Sequence, residues 1–203
     1  MSKEHFVYRQ VSVEPTLDAT LAKCRKTYGE RIRELRDLED FDLRTKLEKD
    51  FEVERFLDGM EEEYLPKELR GLGYSRLDSM YAWPFKCLET QLYPNVDKSG
   101  ITVMQLRLED TNAIVTPMSL ISRLYCYDYS QKVGELVEEA RWMRGLIEEY
   151  WSSAVTLGEF MIGYRETEPY IFEREDGHKI DVPEVLIPSR DLSRVSIVGI
   201  NGS

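Results

Sequence analysis

The chain has 203 residues, 42% of them hydrophobic and 32% charged, with a formal net charge of −11. A chain this long buries roughly 70% of the surface its unfolded form exposes, so it needs neither a disulfide nor a metal to fold. Its charge per residue is too small for intrinsic disorder, and its longest uncharged run, the twelve residues from Thr111 to Ser122, falls short of the ~18 that a membrane-crossing helix requires.

In chain order, Met1 to Phe6 carries Lys3, Glu4 and His5 with no apolar run behind them, unlike a secretory leader. Phe6–Val13 alternates well enough for a short strand. Pro15-Thr16 then opens a helix whose stripe Leu17, Leu21, Cys24, Tyr28, Ile32, Leu35 and Leu38 repeats at helical period. A second helical stretch runs through Leu43, Leu47, Phe51, Leu57, Met60 and Tyr64 until Pro66 and the glycines at 71 and 73 stop it. The two predict an antiparallel hairpin turning at Asp40–Asp42. Residues 23–36 hold six basic and two acidic side chains and residues 37–63 four basic and twelve acidic, so the facing flanks carry opposite charge, although each exposed pair adds only about 0–1 kcal/mol.

Residues 74–93 read as short helices interrupted by Pro84, and Ile101–Leu108 as a strand. Thr116-Pro117 and Ser130 are helix starts, the second leading into an apolar face of Val133, Leu136, Ala140, Met143, Ile147 and Tyr150. Beyond Trp151 the runs are β-rich: Glu159–Tyr164, Pro169–Arg174, His178–Val182, Val185–Ile187 and Ser193–Ile200. Asp176-Gly177 marks a hairpin between two of them. The expected architecture is one α+β domain over 1–203. It has a mostly helical body at 14–155, containing the long antiparallel helix hairpin and a strand near 101–108. A small antiparallel sheet comes mainly from the C-terminal quarter, 156–203, and the N-terminal strand and Ile101–Leu108 can extend it.

The chemistry-bearing residues are few. Cys24, Cys87 and Cys126 are odd in number and form no CxxC pair, which suits reduced thiols in the cytoplasm better than a disulfide framework. There is no GxSxG elbow and no GxxxxGK[ST] loop, and none of the ten lysines has Asp or Glu two positions before it. Of the two histidines, His178 follows the Asp176-Gly177 turn. A two-residue loop would set it opposite Glu175, near Asp181 and Glu173, as an acid–base or metal pair or simply as a cross-strand charge pair. The aromatic clusters Tyr81–Phe85 and Tyr125–Tyr129 suit core packing, a protein interface or base stacking, in that order.

The absence of a legible reactive centre favours a non-catalytic protein–protein interaction or assembly subunit, a scaffold, connector or regulatory component of a larger cytoplasmic or viral complex. It would use no cofactor. Its partners would be other protein subunits, self-association included, rather than a membrane or nucleic acid. The acidic Glu61, Glu62 and Glu63 and the basic Arg31, Arg33 and Arg36 of the hairpin are the candidate contact residues. Two alternatives stay open: a small metal-dependent hydrolase or nucleotide-processing enzyme whose carboxylates gather only in the fold, and a nucleic-acid-binding module using the basic stripe.

Overall fold

The computed structural model describes residues 4–11, 55–85, 102–125 and 136–202, with positions 33, 34, 36, 37, 44, 45 and 48 between them. Among the described residues helix and strand are nearly equal, at 37% and 38%, so the expected mostly helical body with one small C-terminal sheet is wrong. Three antiparallel sheets occur among the described residues instead. In the first, β1 (Glu4–Val11) and β10 (Val195–Gly202) flank β3 (Thr102–Glu109). The second has the order β2 (Ser79–Ala82), β9 (Pro183–Pro188), β4 (Ile114–Pro117), β5 (Val155–Thr156). The third is β6 (Tyr164–Glu168), β7 (Ile171–Arg174) and β8 (Lys179–Asp181). The C-terminal strands β9 and β10 pair with strands from 79–117.

The expected helix hairpin lies largely outside the described residues. Positions 33, 34, 36, 44, 45 and 48 are helical, and the second helix is broken at Gly59-Met60, between a helical turn at 55–58 and α1 (Glu61–Tyr64). Residues 74–85, expected as short helices, carry β2. Thr116-Pro117 ends β4, and the helix starts one residue later as α2 (Met118–Tyr125). The long helix α3 (Leu136–Ser152) forms where the apolar period placed it. The run Glu159–Tyr164, read as a strand, is mostly the helix α4 (Leu157–Gly163). A capping box decides this. The Thr156 hydroxyl accepts from the Glu159 amide at 3.2 Å, and the Glu159 carboxylate accepts from the Thr156 amide at 3.0 Å, satisfying donors that a helix start leaves open.

The second sheet is the middle layer. Every residue of β9 is buried, and its side chains alternate between two cores. Val185 and Ile187 join Val115, Val7, Met104, Leu106, Phe160, Phe172 and Ile180 on one side. Leu186, with Ile114, faces Leu57, Leu65, Leu146, Ile147, Tyr150 and Trp151 on the other. A strand covered on both faces reads as a continuous apolar run, not an alternation. The first and middle sheets are joined where Tyr8 and Trp83 exchange backbone hydrogen bonds of 2.8 and 2.6 Å. Between β8 and β9, Val182 sits at φ +50°, a costly conformation for a β-branched residue. Backbone bonds on both its sides hold it: its amide donates to the Tyr170 carbonyl at 2.8 Å and its carbonyl accepts from Met118 at 3.0 Å. No helix among the described residues is long and apolar enough to cross a membrane.

Replacing Leu186 with alanine opens a void against the helical core. Urea unfolding should show a loss of about 2–5 kcal/mol, with the midpoint falling at constant slope.

Candidate functional site

The most enclosed polar group in the described structure lies inside the helical core. Residues 74–78 form the loop that leads into β2. Asp58, at the end of the helical turn at 55–58, fixes that loop by accepting from the Ser75 hydroxyl at 2.5 Å, the Arg76 amide at 2.7 Å and the Leu77 amide at 3.2 Å. Burial raises the Asp58 pKa, while those three donors and the Arg76 charge oppose the rise. So held, Arg76 points inward onto Glu184 of β9, with 3% and 5% of their side chains exposed. The same guanidinium nitrogen donates to the Tyr150 hydroxyl of α3 at 2.5 Å, and Thr116 of β4 donates to that hydroxyl at 3.0 Å. The Arg76 guanidinium carbon lies 4.7 Å from the Tyr81 ring centre and 5.4 Å from that of Tyr150. Burial pushes the Tyr150 pKa far above its ordinary value, so the phenol stays protonated. Loop, strand and helix are thus tied by one ion pair sealed from solvent.

A second cluster clamps the outer end of that loop. Tyr74 donates to the Asn112 carbonyl at 2.6 Å, and Asp191 accepts from the Asn112 amide at 2.8 Å and its side chain at 3.0 Å. Burial pushes the Tyr74 pKa up to about 12. Arg190, in the 3-10 helix Ser189–Arg194, donates to the Gly73 carbonyl at 3.3 Å and lies over the Tyr74 ring at 5.8 Å. Gly73 is at φ +58°, and a Cβ there would meet that guanidinium at 3.3 Å.

Of the residues expected to contact a partner, the glutamates have different tasks. Glu63 bridges Arg144 of α3 at 2.8 Å, and Arg144 also donates to Tyr64 at 2.7 Å. Glu62 accepts from the Gly71 amide at 3.2 Å. Glu61 is 7% exposed and no hydrogen bond reaches its carboxyl among the described residues. Burial, then the charges of Asp58 and Glu62, push its pKa up to about 7 against the pull of Arg190. Arg33 and Arg36 are exposed on helical backbone. Arg31 lies outside the described residues.

The expected pairing of His178 with Glu175 does not form. The Arg174 amide donates to the His178 carbonyl at 3.0 Å and Gly177 is at φ +84°, so the turn is a three-residue loop with a left-handed glycine. That register sets His178 beside Arg174, whose partner across β6 is Tyr164. The Tyr164 hydroxyl bonds His178 Nδ1. Burial, then the Arg174 charge, lowers the His178 pKa and keeps the ring neutral. Arg174 and its hydrogen-bonded partner Asp176 lie alongside, the latter with its pKa lowered to about 2. Glu173 bridges Lys179 at 3.2 Å, and Asp181 pairs with Ile171 in the ladder. No three His, Cys, Asp or Glu groups among the described residues gather as metal ligands.

No protein-family model, curated protein or solved structure matches this chain. The functional expectations therefore rest on its own geometry. Arg76 and Glu184, which no motif marked, are the residues that sequence reasoning missed. The available signal was one carboxylate inside the run Pro183–Pro188.

Glu184→Gln leaves the Arg76 charge buried without its counter-charge and should cost about 3–5 kcal/mol. Tyr150→Phe, which removes one hydroxyl from the same network, should cost about 1–3 kcal/mol. Urea unfolding of both variants checks the order; a smaller loss for Glu184→Gln would contradict it.

Proposed function

We propose that this chain is a non-catalytic assembly subunit, a scaffold, connector or regulatory component of a cytoplasmic or viral complex. It acts as one domain and joins its own copies through the outer face of β1, β3 and β10. The observation that carries this reading is the composition of that face. Val7, Met104, Leu106, Leu108 and Val195 turn inward to the core, while Phe6 on β1 and Val198 at the bulge of β10 stand 41% and 46% exposed. Between them on β3 lies Arg107, and beside Phe6 the half-buried Tyr8. Aromatic residues and arginine are what protein interfaces concentrate.

A second copy suits the charges. Glu4 and Glu109 sit directly opposite each other in register, a like-charge pair that weakens a sheet, and Arg107 lies 3.1 Å from Glu109. A two-fold axis brings the same patch onto itself. Each copy's Arg107 can then approach the other's paired carboxylates. The odd number of cysteines without a CxxC pair supports the reducing compartment in this reading.

Light-scattering mass measured across a wide concentration range tests it. The wild-type chain should pass from one to two copies, and Phe6→Asp combined with Arg107→Glu should weaken that step by about 30-fold or more, the effect of losing a central contact. A single-copy mass at every concentration, or a double variant that associates like wild type, would overturn the homotypic interface.

A further inference from the structure

Glu61 and Asp58 are carboxylates three residues apart, the first buried and the second half-buried, and their surroundings treat them differently. Asp58 receives three donors, from Ser75, Arg76 and Leu77. Glu61 receives none, and its own segment adds negative charge on both sides, at Asp58 and Glu62. From the packed 3-10 helix one cation faces it, Arg190, occupied by the Gly73 carbonyl and the Tyr74 ring, and Asp191 of the same helix adds negative charge beside Tyr74. A carboxyl in such a place is tolerated while neutral and becomes costly once charged.

We propose that Glu61 is a proton-operated latch on the turn at 61–73. Protonated, it lies buried and lets α1 close on α3, with Glu63 and Tyr64 on Arg144 and Glu62 on the Gly71 amide. When it loses its proton, the carboxylate turns out to Arg190 and takes that guanidinium from the Gly73 carbonyl. The contact holding the turn to the 3-10 helix is given up, and the turn opens. The sign follows from the raised pKa: the stabilisation is complete below the ordinary glutamate value of 4.5 and is lost as pH rises through about 7. The latch therefore closes in acid and opens above neutrality. This inference does not depend on the proposed self-association.

Hydrogen exchange of the full chain at pH 5.5 and pH 8, corrected for intrinsic rates, reads the latch at two amides, Leu65, which donates to the Glu61 carbonyl, and Gly71, which donates to Glu62. Protection at both should fall about tenfold or more in the wild type, since each unit of unequal titration is a factor of ten, and should stay level in Glu61→Gln. Arg190→Gln removes the cation that favours the charged form, and should move the midpoint of the wild-type change to higher pH. Carbon NMR of the Glu61 carboxyl in the unaltered chain covers the case of a variant that folds poorly. A midpoint above pH 6 supports the latch and one below it overturns it. Equal loss of protection in wild type and Glu61→Gln, or none in the wild type, also overturns it.

Discussion

The contact on which the rest depends is the ion pair between Arg76 and Glu184, closed off inside the helical core. Two opposite charges at hydrogen-bond distance in a dry interior attract strongly, but desolvating them costs as much or more. The pair can therefore persist only where its surroundings hold both groups in place. Tyr150 and Thr116 contribute hydroxyls, Tyr81 and Tyr150 contribute ring faces, and Asp58 fixes the backbone from which Arg76 departs. Each comes from a different element. The pair thereby specifies how the loop at 74–78, α3, β4 and β9 must meet.

From that point the architecture extends in two directions. On the helical side, Leu186 and Ile114 of the middle sheet meet α3, and the Trp151 indole donates to the Leu57 carbonyl at 2.9 Å. That bond sets the helical turn at 55–58 against the far end of α3. Arg144, nearer the start of α3, receives Glu63 and Tyr64, so the segment from 57 to 64 runs back along the helix. On the other side, Val185 and Ile187 meet the first and third sheets in a core without buried ion pairs among its described residues. The functional reading follows from this division. Arg76 and Glu184 carry charge inward to align elements, and on the outer face of the first sheet Phe6, Val198 and Arg107 remain in contact with solvent.

Local patterns were legible where one period or one turn type decided the outcome. The helix through Met143, Ile147 and Tyr150, the strand near Ile101–Leu108 and the hairpin at Asp176-Gly177 all follow from residue spacing. Balance between helix and sheet was not legible, because the strands that decide it are short or carry no alternation. Ser79–Ala82 is four residues long, and Pro183–Pro188 is buried on both faces. The capping box at Thr156 and Glu159 was readable, yet lost to the β-rich composition around it. One residue of turn length separated the expected His178–Glu175 pair from the observed His178–Tyr164 pair. For the polar core no local pattern exists: Arg76 and Glu184 lie 108 residues apart, and only the fold brings them together. The acidic run at Glu61–Glu63 was visible as charge, but the sequence holds no sign that one of its three members turns inward.

A double-mutant cycle on Arg76 and Glu184, using Arg76→Met and Glu184→Leu singly and together, measures the central contact with least interference from other changes. Each single change leaves one charge buried alone, and the double change removes both. The double variant should be more stable than the sum of the two losses by about 2 kcal/mol or more, at the upper end of couplings between touching residues. Losses that add to within about 0.5 kcal/mol would mean that the two side chains do not depend on each other, and that some other contact aligns the sheet with its helices.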